Sequence, residues 1–197
     1  MKLKSSILSI LITVGYIPGF AQEVGSFTDT RDGEVYKTVK IGTQIWLAEN
    51  FRYHSQEGSW AYNNDNTNIG HYGRVYNWKA AKKSCPKGWH LPSDAEWKAF
   101  LYFLGGAAVA GGKLKAITGW EIPNTGASDS FGFSALPAGE RSSNGLFNLL
   151  GKYASFWSRT RVGSGSAWLY QLTYNKAEFE RYNYYRSLGC SVRYLKD

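Results

Sequence analysis

The segment Cys85-Pro86-Lys87-Gly88-Trp89-His90-Leu91-Pro92-Ser93-Asp94-Ala95-Glu96-Trp97 constrains the fold of this chain more than any other stretch. Ser93 followed by Glu96 is a capping box, in which each residue satisfies an orphan donor of the other, so a helix is predicted to start there. Trp97, Leu101 and Leu104 recur at i, i+4 and i+7 on one face, and Gly105-Gly106 ends the run. Upstream, residues 74–84 mix Val75, Tyr76, Trp78, Ala80 and Ala81 with Lys79, Lys82 and Lys83, which predicts an earlier helix stopped by Pro86.

Strand signals surround these helices. Val35–Ile41 alternates apolar and polar residues, Gly42-Thr43 supplies a two-residue turn and Gln44-Ile45-Trp46-Leu47 resumes the run, as in a β-hairpin. Residues 50–73 are rich in Asn, Gly, Ser, Tyr and Asp and read as a long loop. Beyond Gly112, short apolar runs at residues 131–136, 153–158, 167–174 and 191–195 predict strands, and Gly163-Ser164-Gly165-Ser166 is a hairpin-length connection. Helices early and strands late specify an α+β domain.

Lys2 and Lys4 precede an apolar run over residues 7–14, and Gly19 and Ala21 place small residues just before Gln22. This is the pattern of a secretory signal peptide over residues 1–21, cleaved after Ala21. The run is roughly half of the ~20 apolar residues a membrane span needs, and Gly15 and Pro18 interrupt it. The expectation is an exported protein, periplasmic, cell-surface or secreted, with no stable membrane insertion and one domain over residues 22–197. Losing Lys2 and Lys4 takes the net charge from +8 to +6. Arg31, Arg52, Arg74, Lys113, Arg141 and the other cations are scattered rather than blocked, which argues against a nucleic-acid partner. A disulfide between the two cysteines, Cys85 and Cys190, would persist in an oxidising compartment and contribute up to about 4.7 kcal/mol in the chain-entropy model.

Further motifs follow in order: Gly132-Phe133-Ser134-Ala135-Leu136-Pro137-Ala138-Gly139, Phe156-Trp157-Ser158, Ala167-Trp168 and Gly189-Cys190-Ser191-Val192-Arg193. With the first segment they resemble the bacterial family called the Fibrobacter succinogenes major paralogous domain, from about Thr30 to the C-terminus. That family is similar to the C-type-lectin-like fold shared with formylglycine-generating enzymes and with retroelement-diversified ligand-binding proteins. The resemblance implies two helices flanking a small twisted antiparallel sheet, chain ends close together and a long loop-rich face. It also implies that ligand contacts lie between the Trp-Ser and Val-Arg strands. In this chain that interval holds Arg159, Arg161, Tyr170, Tyr174, Asn175, Arg181, Tyr182, Asn183, Tyr184, Tyr185 and Arg186. Tyr and Arg supply large contact area with a polar tip. The family pattern places its second cysteine directly after Val-Arg, where this chain has Tyr194. Cys190 lies about 13 Å back along a strand at ~3.3 Å per residue, whereas a bridge spans at most about 7 Å between Cα atoms. Pairing of Cys85 with Cys190 stays open.

Catalytic signals are sparse. Formylglycine generation needs two closely spaced reactive cysteines late in the chain, and this chain has no such pair. His54, His71 and His90 are far apart in sequence; His90, inside the first motif, is predicted to make a structural hydrogen bond, and no metal site is expected. Glu121-Ile122-Pro123-Asn124 resembles the Glu-Pro-Asn calcium and sugar signature of animal C-type lectins, but Ile122 breaks its register and no Trp-Asn-Asp partner follows. Trp46, Trp89, Trp97, Trp120, Trp157 and Trp168 are expected in the core or its rim. The reading is an exported, non-enzymatic binding module without a cofactor, whose partner is a glycan or a surface protein. The alternatives are a structural or self-assembling surface protein and, with less support, an enzyme using Asp129, Glu140 or Glu178.

Overall fold

Strand β1 (Val24–Thr28) pairs antiparallel with β2 (Val35–Ile41), which turns at Gly42 into β3 (Gln44–Leu47), as the alternation predicts. Gly42 adopts φ 62°, and a Cβ there would stand 3.0 Å from the Phe103 ring, so turn geometry and packing both require glycine. The computed structural model describes residues 23–197, so the expected leader and its cleavage after Ala21 lie outside the described residues. The loop of residues 50–73 carries β4 (Ser59–Trp60), two 3₁₀ turns and a short helix α1 (Ile69–Tyr72). β5 (Val75–Tyr76), α2 (Trp78–Lys83), β6 (Trp89–His90), α3 (Asp94–Phe103) and α4 (Ala107–Leu114) follow. A hairpin of β7 (Ala138–Arg141) and β8 (Phe147–Leu150) precedes the meander β9 (Tyr153–Val162), β10 (Ser166–Thr173) and β11 (Phe179–Tyr185). β12 (Leu195–Lys196) returns between β3 and β6, giving a five-stranded sheet β1-β2-β3-β12-β6 beside a three-stranded sheet β11-β10-β9.

The capping box forms as predicted. Ser93 Oγ accepts from Glu96 N at 3.2 Å while Glu96 Oε2 accepts from Ser93 N at 2.6 Å. His90 makes the expected structural bonds, joining Asp197 at 2.6 Å and Glu96 at 2.9 Å. Elsewhere the expectations need correction. Among the described residues four short helices replace two. The early helix is confined to Trp78–Lys83, because Asn77 turns extended and its side chain accepts from Ala80 N, starting the helix there and leaving Val75-Tyr76 to pair with β4. Gly105-Gly106 does end α3, but α4 continues beyond it. Glycines at 111 and 112 serve close packing rather than a turn: an added Cβ would meet Glu178 O at 2.3 Å and Gly126 O at 2.4 Å. No strand forms over residues 131–136, where Asp129 accepts from Ser134 N and Oγ and holds Ser134 at φ 48°, leaving one bridge between Lys115 and Ala135. The final strand is confined to Leu195–Lys196, although the Val192 and Tyr194 carbonyls accept from Phe51 N and Leu47 N.

Both cysteines are free thiols. Cys190 is buried and its backbone bridges Tyr76, whereas Cys85 is half-buried and donates to Trp89 O at 2.8 Å. Tyr194 is buried and sends its hydroxyl to Ala81 O at 2.6 Å.

The three-stranded sheet separates two apolar cores. Phe156, Tyr170, Leu172 and Phe179 face a cluster built on Trp46, Trp97, Phe100 and Phe133, while Trp157, Ala167 and Leu169 face Tyr36, Phe51, Tyr76 and Tyr194. Period-2 alternation assigns each side chain to its core. Trp97 from α3 is the hub of the first, stacked on Tyr170 at 5.2 Å and tilted on Trp46 at 4.6 Å.

Candidate functional site

The cross-strand register sorts the predicted contact residues. Arg181, Asn183 and Tyr185 lie opposite Tyr170, Trp168 and Ser166 and share their face, whereas Tyr182 and Tyr184 lie opposite Leu169 and Ala167 on the other. β11 is an edge strand whose first residue, Phe179, is in the core. α4 covers its beginning, where Gly112 N donates to Ala177 O at 2.9 Å. Past that point the strand outruns its cover: Tyr182, Tyr184 and Tyr185 are 36%, 41% and 75% exposed, and Asn183 is exposed between them. The rings of Tyr182 and Tyr184 meet edge-to-face at 6.4 Å.

On the opposite face Arg181 is held with high geometric definition. Its Nε and Nη2 donate to Asp94 Oδ1 and Oδ2 at 2.6 and 2.9 Å, a bidentate pair, and its guanidinium lies 3.2 Å from the centroid of the half-buried Trp168 ring. Lys98 adds a contact to Asp94 at 2.9 Å, and Tyr170 donates its hydroxyl to Asp94 Oδ1 at 2.9 Å. Burial pushes the Asp94 carboxyl up, but the bonds from Arg181, Lys98 and Tyr170 outweigh it and hold the carboxyl below its ordinary value. The result is a flat platform of Trp168 and Arg181 running on to Asn183 and Tyr185.

Several predicted residues stand elsewhere. Tyr170 is fully buried against Trp97 and touches no solvent, so it positions Asp94 rather than a ligand. Tyr174 and Asn175 occupy the turn between β10 and β11, about 20 Å from Tyr185 at ~3.3 Å per residue. Lys115 holds that turn by donating to Thr173 O at 3.1 Å and Lys176 O at 2.8 Å, and burial pulls its ammonium down to about 8. Arg159 and Arg161 are exposed on β9, Arg159 lying 3.9 Å from Glu96. Arg186 is half-buried, donates to Ser164 O and lies 5.2 Å from the Trp78 ring, so it closes the sheet end as well as facing outward.

A buried polar group adjoins the tyrosine face. Glu140 accepts from Ser155 Oγ at 2.5 Å and from Gln171 Nε2 at 3.0 Å, both on one oxygen, and among the described residues no cation pairs with it. Burial raises its carboxyl above the ordinary value, and its field reaches Tyr184. Trp168 and Asp94 escaped selection as site residues, and Glu140 entered only as a carboxylate of the enzymatic alternative. Alternation about Ala167 and Leu169 places Trp168 on the Tyr170 face, and a lone carboxylate in the apolar run before Arg141 marks Glu140.

Among the described residues no group of three or more His, Cys, Asp and Glu side chains could hold a metal ion, and no helix is long and apolar enough to cross a membrane. Asn124, in the segment resembling the lectin signature, turns its amide inward to Ala116 O at 3.1 Å. The model of the Fibrobacter succinogenes major domain matches residues 39–196. The chain belongs to this family. No curated protein and no solved structure matches it. For this family member the match runs from the middle of β2 into β12, so the Trp168–Arg181 platform and the β11 tyrosines belong to the shared domain.

Proposed function

We propose that the chain is an exported, non-enzymatic binding module of C-type-lectin-like fold, recognising a glycan or a surface protein through the outer half of β11. The observation that carries the reading is the exposure of Tyr182, Asn183, Tyr184 and Tyr185 on both faces of one edge strand whose other residues are packed. Large aromatic side chains left uncovered beside a rigid Trp168–Arg181 pair suit stacking on a sugar ring or packing on a protein. Anchoring by Asp94 limits the ordering cost on binding. The fold assignment draws support from the sheet in which β1, β2 and β3 meet the C-terminal β12, so the two ends of the domain lie together. Export rests on the pattern of residues 1–21, and N-terminal sequencing of the mature protein is expected to begin at Gln22.

Purified protein on a glycan and surface-protein array, with and without calcium, tests the reading. A discrete ligand held equally well in chelator supports a metal-independent module. Retention of no ligand by folded protein argues against it.

One observation favours a second reading, self-assembly: among the described residues no strand pairs with the outer edge of β11. A bare edge offers unpaired N–H and C=O groups to another strand. Sedimentation over a wide concentration range separates the two, since a monomer at the highest concentration rules out assembly.

A further inference from the structure

Arg193, the last residue of the Gly189–Arg193 motif, is 1% exposed, and every bond it makes is to a neutral acceptor. Its Nε donates to Asn50 Oδ1 at 2.8 Å, Nη1 to Leu47 O at 3.1 Å and Phe133 O at 2.7 Å, and Nη2 to Ser134 O at 3.0 Å. A guanidinium carries five N–H donors, so four bonds leave one unused. Glu49 and Asp129, the carboxylates whose fields reach Arg193, make no bond to it: Glu49 accepts from Lys37 N at 2.7 Å, and Asp129 accepts from Ser134 N at 2.8 Å. A guanidinium bonded only to neutral acceptors is costly to bury, and the desolvation pulls Arg193 down to about 9 against the opposing fields of Glu49 and Asp129.

Arg193 lines an open cavity of about 500 Å³ between β1–β2, the residues after β3, α1 and the Ser134 loop. That volume is within the range of small-molecule sites. Lys37 is exposed at its wall and, among the described residues, forms no ion pair through its side chain. Arg52 also lines the wall but is paired with Glu34 at 2.6 Å and stands 3.9 Å from Glu49. On the cavity wall itself Lys37, Arg52 and Arg193 meet one carboxylate, Glu49, while Glu34, paired with Arg52, and Asp129, bonded to Ser134, stand outside the lining. The floor is rigid. Asn50, which holds Arg193, donates to Tyr72 O at 2.9 Å, and a Cβ on Gly73 would come within 2.8 Å of Asn50 O.

We infer that this cavity is a second binding site, distinct from the β11 face, for a small organic molecule bearing a single carboxylate, its charge placed between Arg193 and Lys37. The apolar wall, which includes Ala48, Ile69 and Leu136, receives the body of the ligand. The inference is independent of what β11 binds.

Arg193 is unsuitable for substitution, because removing it strands four buried acceptors. Two other variants keep the fold: Lys37→Ala on an exposed residue, and Gly70→Trp at the cavity wall, where an added Cβ meets nothing within 4 Å. The full chain is titrated calorimetrically with acetate, D-glucuronate and benzoate, and with the neutral counterparts acetamide, D-glucose and benzamide. The expected result is saturable binding of at least one carboxylate and of no neutral counterpart. Lys37→Ala is expected to weaken that binding about tenfold, and Gly70→Trp to abolish it, with melting temperatures unchanged in the absence of ligand. Equal response to charged and neutral members, no binding by any carboxylate, or wild-type binding by folded Gly70→Trp overturns the proposal. Inorganic phosphate binding as tightly as the carboxylates overturns the assignment to a single carboxylate.

Discussion

Strands β10 and β11 are neighbours in one sheet and both rich in aromatic side chains, yet one is enclosed and the other half bare. Most of β10 faces one of the two cores, and Tyr170 within it is fully buried. β11 begins in the same core at Phe179 and ends with Tyr185 at 75% exposure. The presence of tyrosine does not separate the two strands. Cover does: α3 packs over Tyr170, while α4 reaches only the beginning of β11. The same residue type is therefore a packing element on one strand and a presented side chain on the next.

The largest expected difference is in stability. Tyr170→Ala removes a ring stacked on Trp97 and a donor to Asp94, and is expected to cost about 3–5 kcal/mol in urea unfolding. A cost below about 1 kcal/mol would break the contrast between the strands. Arg181→Ala, at the boundary, loses the bidentate contact to Asp94. Hydrogen bonds to charged groups contribute about 1.5–3 kcal/mol when buried, and with Arg181 30% exposed the expected loss is about 1 kcal/mol.

Glu140 sharpens the picture through pH. Burial raises its carboxyl in the folded protein above the ordinary 4.5, so the folded state holds that proton more tightly than the unfolded chain. Its ionisation therefore opposes folding at neutral pH, and that penalty is relieved as pH falls through the folded value toward 4.5. Asp94 acts in the opposite sense: its carboxyl is held below 3.8, and the stability this brings is lost only as pH falls through that lower folded value. The melting temperature of wild type minus that of Glu140→Gln is expected to rise on acidification from neutral pH to about 5, and a flat or falling difference would contradict the assignment. The smallest effect is expected at Tyr185→Ala, within about 0.5 kcal/mol of wild type.

Much of this organisation was legible in the sequence where a local rule decides it. The Ser93–Glu96 box, the Gly42 hairpin and the Trp97 stripe each depend on neighbours within a few residues. What was not legible depends on distant partners. The strand expected over residues 131–136 gave way to a loop because Asp129 captures Ser134, and α4 passed unread because its two glycines answer to Glu178 and Gly126 rather than to a turn. At the candidate site, the aromatic and basic content of residues 159–186 marked the region, while period 2 alone could not tell the buried Tyr170 from the exposed Tyr185. That distinction is set by where α3 and α4 end.

The most direct test of the account is to compare capture of surface polysaccharides and surface proteins by wild type and by a Tyr182→Ala, Tyr184→Ala, Tyr185→Ala variant, with melting curves for both. The account predicts that wild type retains a ligand and that the variant loses it at a nearly unchanged melting temperature. Equal capture by the folded variant, or unfolding of the variant, would contradict the claim that this half of β11 is a presented binding surface.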